Sequence, residues 1–580
     1  MRSLFSRIFL CPELALSVIV FTGCPRQSSL PGTFEIPRRE PAWEPASRRL
    51  VLVADNQIHN LYGRPVYIYR NAVTDELVTS AIRPVQLDFY GQDLLGWVVD
   101  NRGAEASIVH LGDAADASCT DEFEQFVDIM GRSASGWAMA PGNHDGFFYG
   151  NESPSPHRPD WEAACANGGT PMTKDMYVRL YLAALYLQDS RYGVLDAART
   201  AAFDPAPLVA RRDLSALART VASAGEWPGT VAGDATAPLV RRLAWQVDED
   251  APWRSFVVQE IDVTHPNQTS PAATRVSAIL LDTSEYERRP TLVPIPPLFV
   301  NAGLSGSVLD DQAAIVRRWM EASPGRVWIV LGHHPYNSLV SAAQKHLDSF
   351  RRDTRLPLYV SAHTHSGEFI THRGAAGTWL ELNVGSVLDW SVEYRTLNVY
   401  EEVGTNRLGI RSRRYTMRDE LAEEGVPKEE ERWEAKPGDE DHYVTYEQLR
   451  WMGAARAEAK LKNILLASHR RLLVNNPTSP PTPDGAFWPR GCRRPCTSDR
   501  GVIDEIGDTI AAPGLSRKVR LLRELRRFEN ERPVEDQAER SKFRLSQAIW
   551  ASKYDSVRAR KPLVDDSFIL FPKELRDADR

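Results

Sequence analysis

Between residues 48 and about 415 the chain alternates strand-length apolar runs with stretches of helical period. The runs are Leu50–Ala54, Ser107–Leu111, Trp137–Ala140, Ser277–Leu281, Val327–Leu331, Leu358–Ser361, Trp379–Val384 and Thr396–Tyr400. Apolar positions recurring three and four residues apart predict helices over Val85–Val99, Asp121–Met130 and Asp311–Ala322. Strands and helices taking turns in this way predict an α/β domain. Residues 146–275 interrupt the alternation with a helical stretch (Lys174–Leu187), Pro- and Gly-containing loops and a strand-like run (Ser255–Val263). Loops inserted over a rigid sheet often carry substrate contacts. Past residue 416 the pattern becomes mostly helical, with Tyr446–Leu473, Leu515–Phe528 and Asp536–Ser552 separated by a proline-rich stretch, Asn475–Pro489. Trp451, Leu461, Ile464, Leu465, Trp550 and Phe568 give these helices an apolar side to pack. The expected organisation is therefore residues 1–24, a proline-rich tether at 25–47, an α/β domain at 48–415 with an insert at 146–275, and a helical extension at 416–580.

At 580 residues the chain exceeds what one core supports, so one large domain with appendages is expected. A net charge of −7 provides no global attraction to nucleic acid or anionic lipid, although a local basic groove is compatible with it. The arginines of Arg517–Arg527 are interleaved with glutamate and read as a solvated helix face. At the N-terminus, Arg2 and Arg7 precede an apolar segment, Leu14 to Phe21, that ends at Thr22-Gly23-Cys24. This is the layout of a secretory signal; so short a segment falls well below the about 20 residues that span a bilayer. The Gly-Cys ending resembles the lipobox of bacterial lipoproteins and implies lipidation at Cys24 and a cell-envelope location, with membrane attachment through that lipid. Glu13 and Phe21 depart from the pattern, leaving a secreted soluble form or an unexported protein as alternatives. Setting Cys11 and Cys24 aside leaves Cys119, Cys165, Cys492 and Cys496, which permits two disulfides of open pairing or free thiols.

Five short blocks follow the apolar runs: Asp55-Asn56-Gln57, Gly112-Asp113, Gly142-Asn143-His144-Asp145, Gly332-His333-His334-Pro335 and His363-Thr364-His365. Each lies at the C-terminal end of a predicted strand, where open α/β sheets gather ligands. Their side chains are carboxylate, carboxamide and imidazole, the donors for hard and borderline divalent cations. Hydrolysis of a phosphate ester needs its oxygens neutralised, a water activated and a leaving group stabilised, and two cations about 3.5–4 Å apart supply all three. Such a pair requires a carboxylate shared between the ions, for which Asp113 is the candidate. Only one of His333 and His334 can face the ions on extended backbone, whereas His363 and His365 share a face.

In this order the blocks resemble the calcineurin-like metallophosphoesterases, a superfamily that includes purple acid phosphatases and many phosphodiesterases. The resemblance runs from Asp55 to His365 and does not cover the C-terminal third. It implies two facing β-sheets flanked by helices and a two-metal site. Carried over residue by residue, it implies one ion held by Asp55, Gln57, Asp113 and His365, and a second held by Asp113, Asn143, His333 and His363. The ions would be Mn, Fe, Zn or Mg. His144 would contact the phosphate and protonate or stabilise the leaving oxygen while a bridging hydroxide attacks phosphorus. The substrate would be a phosphate mono- or diester outside the cytoplasm. One departure stands out: Gln57 occupies the place of the usual histidine of the first block, which implies a more labile first metal. His59 reads as a loop histidine or, two residues on along the same face, as an aid to Gln57; Asp116 as a hydrogen-bond partner of a ligand histidine or a helix-start acid; and Arg395 as a phosphate contact or a surface ion pair. The rival readings are a nuclease or nucleotide phosphodiesterase with a basic, aromatic groove near 146–275, and a non-catalytic envelope scaffold on the same fold.

Overall fold

The structure, a computed structural model, describes residues 43–58, 68–70, 77–79, 95–103, 106–150, 161–162, 165, 169–201, 204–229, 239–266, 274–290, 305–353, 358–365, 367, 369–374, 377–387, 393–403, 407–416 and 566–571. Cys24 with the rest of the N-terminal segment, His59, Trp390, Cys492, Cys496 and the three predicted helices between 446 and 552 lie outside these residues.

Two β-sheets form the frame. The first contains β1 (Trp43–Pro45), β2 (Leu50–Val53), β5 (Ser107–His110), β6 (Trp137–Met139), β15 (Glu393–Glu402), β16 (Leu408–Thr416) and β17 (Asp566–Phe571). Its spatial order is β17-β16-β15-β2-β5-β6, with β1 also pairing β15. The second contains β7 (Ala224–Trp227), β8 (Val240–Gln246), β9 (Phe256–Asp262), β10 (Val276–Leu280), β11 (Val327–Leu331), β12 (Leu358–Ser361), β13 (Phe369–Gly374) and β14 (Gly377–Asn383). Its order is β13-β14-β12-β11-β10-β9-β8-β7. A separate hairpin joins β3 (Ile68–Arg70) and β4 (Leu77–Thr79).

Side-chain alternation shows how the layers stack. Ala278 and Leu280 of β10, and Val327, Ile329 and Leu331 of β11, join Val51, Val53 and Val109 of the first sheet in one buried cluster. The intervening Ile279, Trp328 and Val330 point the other way, onto Ala313, Val316 and Trp319 of one helix and Ala343, Leu347 and Phe350 of another. Those helices are Asp310–Glu321 and Ser341–Asp353. Side chains on a strand alternate faces, so a run apolar at every position is what a sheet covered on both sides demands. Each fully buried Val, Leu or Ile contributes roughly 1.5–3 kcal/mol. The architecture is thus the predicted one: two facing sheets flanked by helices.

β2, β5 and β6 run parallel, as do β10, β11, β12 and β14. Their C-terminal ends deliver all five polar blocks. Two boundaries differ from expectation. Trp43–Pro45 pairs with β15, so the folded domain begins inside the stretch expected to be tether. At the other end, Asp566–Phe571 of the region expected to be helical adds an antiparallel strand beside β16. Strands β8 and β16 escaped the sequence pattern because arginine interrupts them. Arg241 and Arg242 in β8 sit within ion-pair distance of buried Glu260 on β9, at 3.5 and 3.3 Å. Among the described residues, no helix is long and apolar enough to cross a membrane.

Candidate metal centre

The loop after β2 and the loop after β5 run side by side. Asp55, Gln57 and Ile58 donate their N–H groups to the carbonyls of Gly112, Asp113 and Ala114 at 3.0, 2.9 and 2.7 Å, which sets Asp55 and Gln57 against Asp113. The loop after β6 then locks onto the second. The buried Asp145 carboxylate accepts from four backbone N–H groups: Asp113 and Gly142 at 2.8 Å each, Ala114 at 2.9 Å and Ala115 at 3.3 Å. Sequence reasoning quoted Asp145 without giving it a task; a buried acid closing a ligand block was the available signal. A Cβ at Gly142 would collide with the Asp113 carboxylate, so only glycine allows this approach.

Around Nε2 of His333 the donors converge. Asn143 Oδ1 lies 2.9 Å away, His363 Nδ1 3.2 Å and Asp113 Oδ2 3.3 Å. The His333 Nδ1–H donates to the Leu111 carbonyl at 2.8 Å, which leaves Nε2 as the ligating nitrogen of the neutral ring. On the other side, His365 Nε2 is 3.3 Å from Asp55 Oδ1, and Asp55 Oδ2 accepts the His363 N–H at 3.2 Å. The structure therefore brings Asp55, Asp113, Asn143, His333, His363 and His365 together, with Gln57 buried on the same loop at 3% exposure.

The backbone in this cluster is strained. Asp55, Gln57, Asp113, His363 and His365 all have positive φ, at 51°, 37°, 59°, 68° and 56°, and they make up five of the seven such non-glycine residues described. Each left-handed residue costs on the order of 1–3 kcal/mol, and such strain concentrates at functional sites.

His144 stands at the edge of the cluster. Its N–H donates to Asp113 Oδ1 at 2.8 Å, and its Nδ1–H donates to the Asp116 carbonyl at 2.6 Å. Asp116 thus serves through its backbone, with its carboxylate 4.0 Å from the same nitrogen. The second histidine of the Gly332 block is also drawn in: the His334 ring lies 4.7 Å from that of His363, and His334 joins His333 and His363 in one potential donor group. Thr283 Oγ1 accepts the N–H groups of His333 and His334 at 3.2 and 3.1 Å and lies 2.9 Å from His334 Nδ1. Nothing in the sequence pattern singled out Thr283. Arg395 forms an ion pair, but a buried rather than a surface one. At 1% exposure it donates to Glu393 Oε1 at 3.2 Å and to the Gly367 carbonyl at 2.8 Å.

No family model matches the sequence, and no curated protein matches it. Among solved structures the chain is similar to a 5'-nucleotidase from Candida albicans SC5314, at 11% identity and a TM-score of 0.28 over 73% of this chain. It is also similar to the purple acid phosphatase PPD1 from yellow lupin (Lupinus luteus) seeds, at 10% identity and a TM-score of 0.29 over 64% of this chain. The match spans 60% of the length of the first and 52% of the second.

The donor set fits metal on its own geometry. Nitrogen and oxygen donors held about 2.1 Å from one ion stand roughly 3.0–3.4 Å apart, the spacing found around His333 Nε2. Asp55 Oδ1 is buried, with His365 Nε2 3.3 Å away but outside good hydrogen-bond geometry, and a buried carboxylate oxygen so placed is costly unless a cation meets it. Electrostatics agree. Burial alone would raise the carboxyls of Asp55 and Asp113, yet His365 beside Asp55, and His333 and His144 beside Asp113, hold both below the ordinary range. Burial opposes charging His333, but Asp113 and Asp55 lift it to about 9. An ion taking up Nε2 would displace that proton and leave the ring neutral. Behind the cluster, burial and His333 hold His110 near 3. It accepts the Gly112 N–H at Nδ1 (3.2 Å) and hydrogen-bonds Asn56, whose amide donates to the Ala114 carbonyl at 2.9 Å. His110 lay hidden in an apolar run and offered the sequence reading no signal.

Proposed function

We propose that this protein hydrolyses phosphate mono- or diesters outside the cytoplasm, using two divalent or mixed-valence metal ions. The observation that carries the reading is the convergence of Asn143, Asp113 and His363 on His333 Nε2, with His144 anchored to the same Asp113 carboxylate. Asp55, Gln57, Asp113 and His365 would hold one ion, and Asp113, Asn143, His333 and His363 the other. When bound, the ions supply neutralisation of the phosphoryl oxygens and an acidified water. The remaining chemistry belongs to the chain. His144, with its Nδ1–H committed to the Asp116 carbonyl, would present Nε2–H to the leaving oxygen in its doubly protonated form and give up that proton, ending neutral with Nδ1–H retained. Asp145 holds the Asp113 loop in register, so the shared carboxylate does not swing when substrate arrives. Export and a lipid anchor at Cys24 are part of the proposal; Arg2, Arg7 and the Leu14 to Phe21 segment support them. The buried Cys119–Cys165 disulfide suits an oxidising compartment.

The test separates ligand from proton donor. His144→Ala should keep its metal content and lose on the order of 10²–10⁴ in turnover. Release of metal by that substitution would overturn the assignment of His144.

A further inference from the structure

His363 sits at the centre of a turn that a histidine seldom adopts. Its φ is 68°, and the Thr364 N–H donates back across it to the Ala362 carbonyl at 2.7 Å. A three-residue turn of this hand is rare and strained. It persists only where surrounding structure over-determines it. His365, two residues on, is left-handed as well at 56°.

The restraint comes from the next strand over. Asn383 ends β14, in parallel register beside Ser361 at the end of β12, and is fully buried. Its amide nitrogen donates to the Ala362 carbonyl at 2.6 Å and to Ser361 Oγ at 3.0 Å. Its amide oxygen accepts from Thr364 Oγ1 at 2.7 Å. One carboxamide therefore grips the residue before His363 and the residue after it, with a donor on one side and an acceptor on the other. Few side chains meet both demands. A carboxylate would turn an acceptor towards the Ala362 carbonyl, and an apolar group would remove one of the two donors to that carbonyl and an acceptor of the part-buried Thr364 hydroxyl. Ser361 extends the brace, because its hydroxyl also hydrogen-bonds buried Glu381, which pairs with His372.

We infer that Asn383 is a positioning residue for the metal centre: it holds the strained turn that aims His363 at His333 and Asp113, and thereby sets the affinity for the ion these residues would share. This rests on the proposed function. Residues that orient ligands without binding the ion themselves typically change metal affinity 10–100-fold when removed.

The test is metal binding by the full chain, read without any substrate. Metal-free wild type and Asn383→Ala are titrated with Mn²⁺ by calorimetry, and urea unfolding in chelator checks that each is folded. The expected result is two ions per wild-type chain, with one of them weakened 10–100-fold in Asn383→Ala and the other held nearly as before. Thr364→Val removes a single bond of the brace and keeps the shape, so it serves if Asn383→Ala does not fold; it should weaken the same ion by a smaller factor. Two ions bound with unchanged affinities in the folded variant would overturn the inference and leave the proposed function standing. A wild type that binds no ion would overturn the proposed function, and the inference with it.

Discussion

The Asp116 carbonyl can only accept, so the ring nitrogen of His144 that faces it must carry a hydrogen, and Nε2 is left for a leaving oxygen. The same accounting gives His110 the opposite fate. Gly112 N–H donates to its Nδ1, Asn56 receives its Nε2–H, and burial keeps the ring uncharged down to about pH 3. An unfolded chain would charge this histidine near pH 6.5. Above that pH neither state binds the proton and His110 is neutral towards stability. Between 6.5 and 3 only the unfolded state binds it, so stability falls as pH falls, by about 1.4 kcal/mol per unit. Replacing His110 by Asn should flatten the loss of unfolding free energy between pH 6 and pH 5 by about one proton, as read from urea melts in chelator. An unchanged slope would show that the ring is already charged in the folded protein. Gln57 is the departure whose effect is set at this scale. Gln57→His should slow loss of Zn²⁺ to chelator, since imidazole is the stronger ligand for that ion.

The loops that join strands to ligands carry the next set of consequences. A methyl group at residue 142 has no room beside Asp113, so Gly142→Ala should displace the Asp113 carboxylate and lower turnover by on the order of 10²-fold while the sheets stay folded. Circular dichroism unchanged beside full activity would contradict this. The Cys119–Cys165 disulfide closes a 46-residue separation next to the loop that holds Asp116, and opening it should cost about 4 kcal/mol on loop-entropy grounds, measured by urea unfolding of the double serine variant. These elements also show what the sequence made legible. Val327–Leu331 is apolar throughout, and Leu358–Ser361 up to its last residue, because helices and the opposite sheet cover both faces, and their ends needed no structure to find. β8 was invisible because Arg241 and Arg242 answer Glu260 on the neighbouring strand, a pairing distant in sequence. The candidate ligand types were legible from their blocks. Their supports, Thr283, His110, Asn56 and Asn383, were not, since each acts through a contact that only the folded chain creates.

Across the whole molecule, two sheets bring separate halves of the site to one edge. β2, β5 and β6 supply Asp55, Asp113 and Asn143, while β11 and β12 supply His333 and His363 from the facing sheet. An ion held by both halves would bind the folded state alone, so Mn²⁺ at 100 times its dissociation constant should stabilise the protein by about 2.7 kcal/mol and raise its melting temperature. The most direct test of the account is hydrolysis of p-nitrophenyl phosphate and bis-p-nitrophenyl phosphate by metal-free protein, before and after adding Mn²⁺, Mg²⁺ or Zn²⁺, alongside Asp113→Asn. The account predicts turnover that appears with metal, disappears with chelator and is nearly absent in Asp113→Asn, the ratio of the two substrates reporting the ester class. Turnover that persists in chelator, or that Asp113→Asn retains in full, would contradict it.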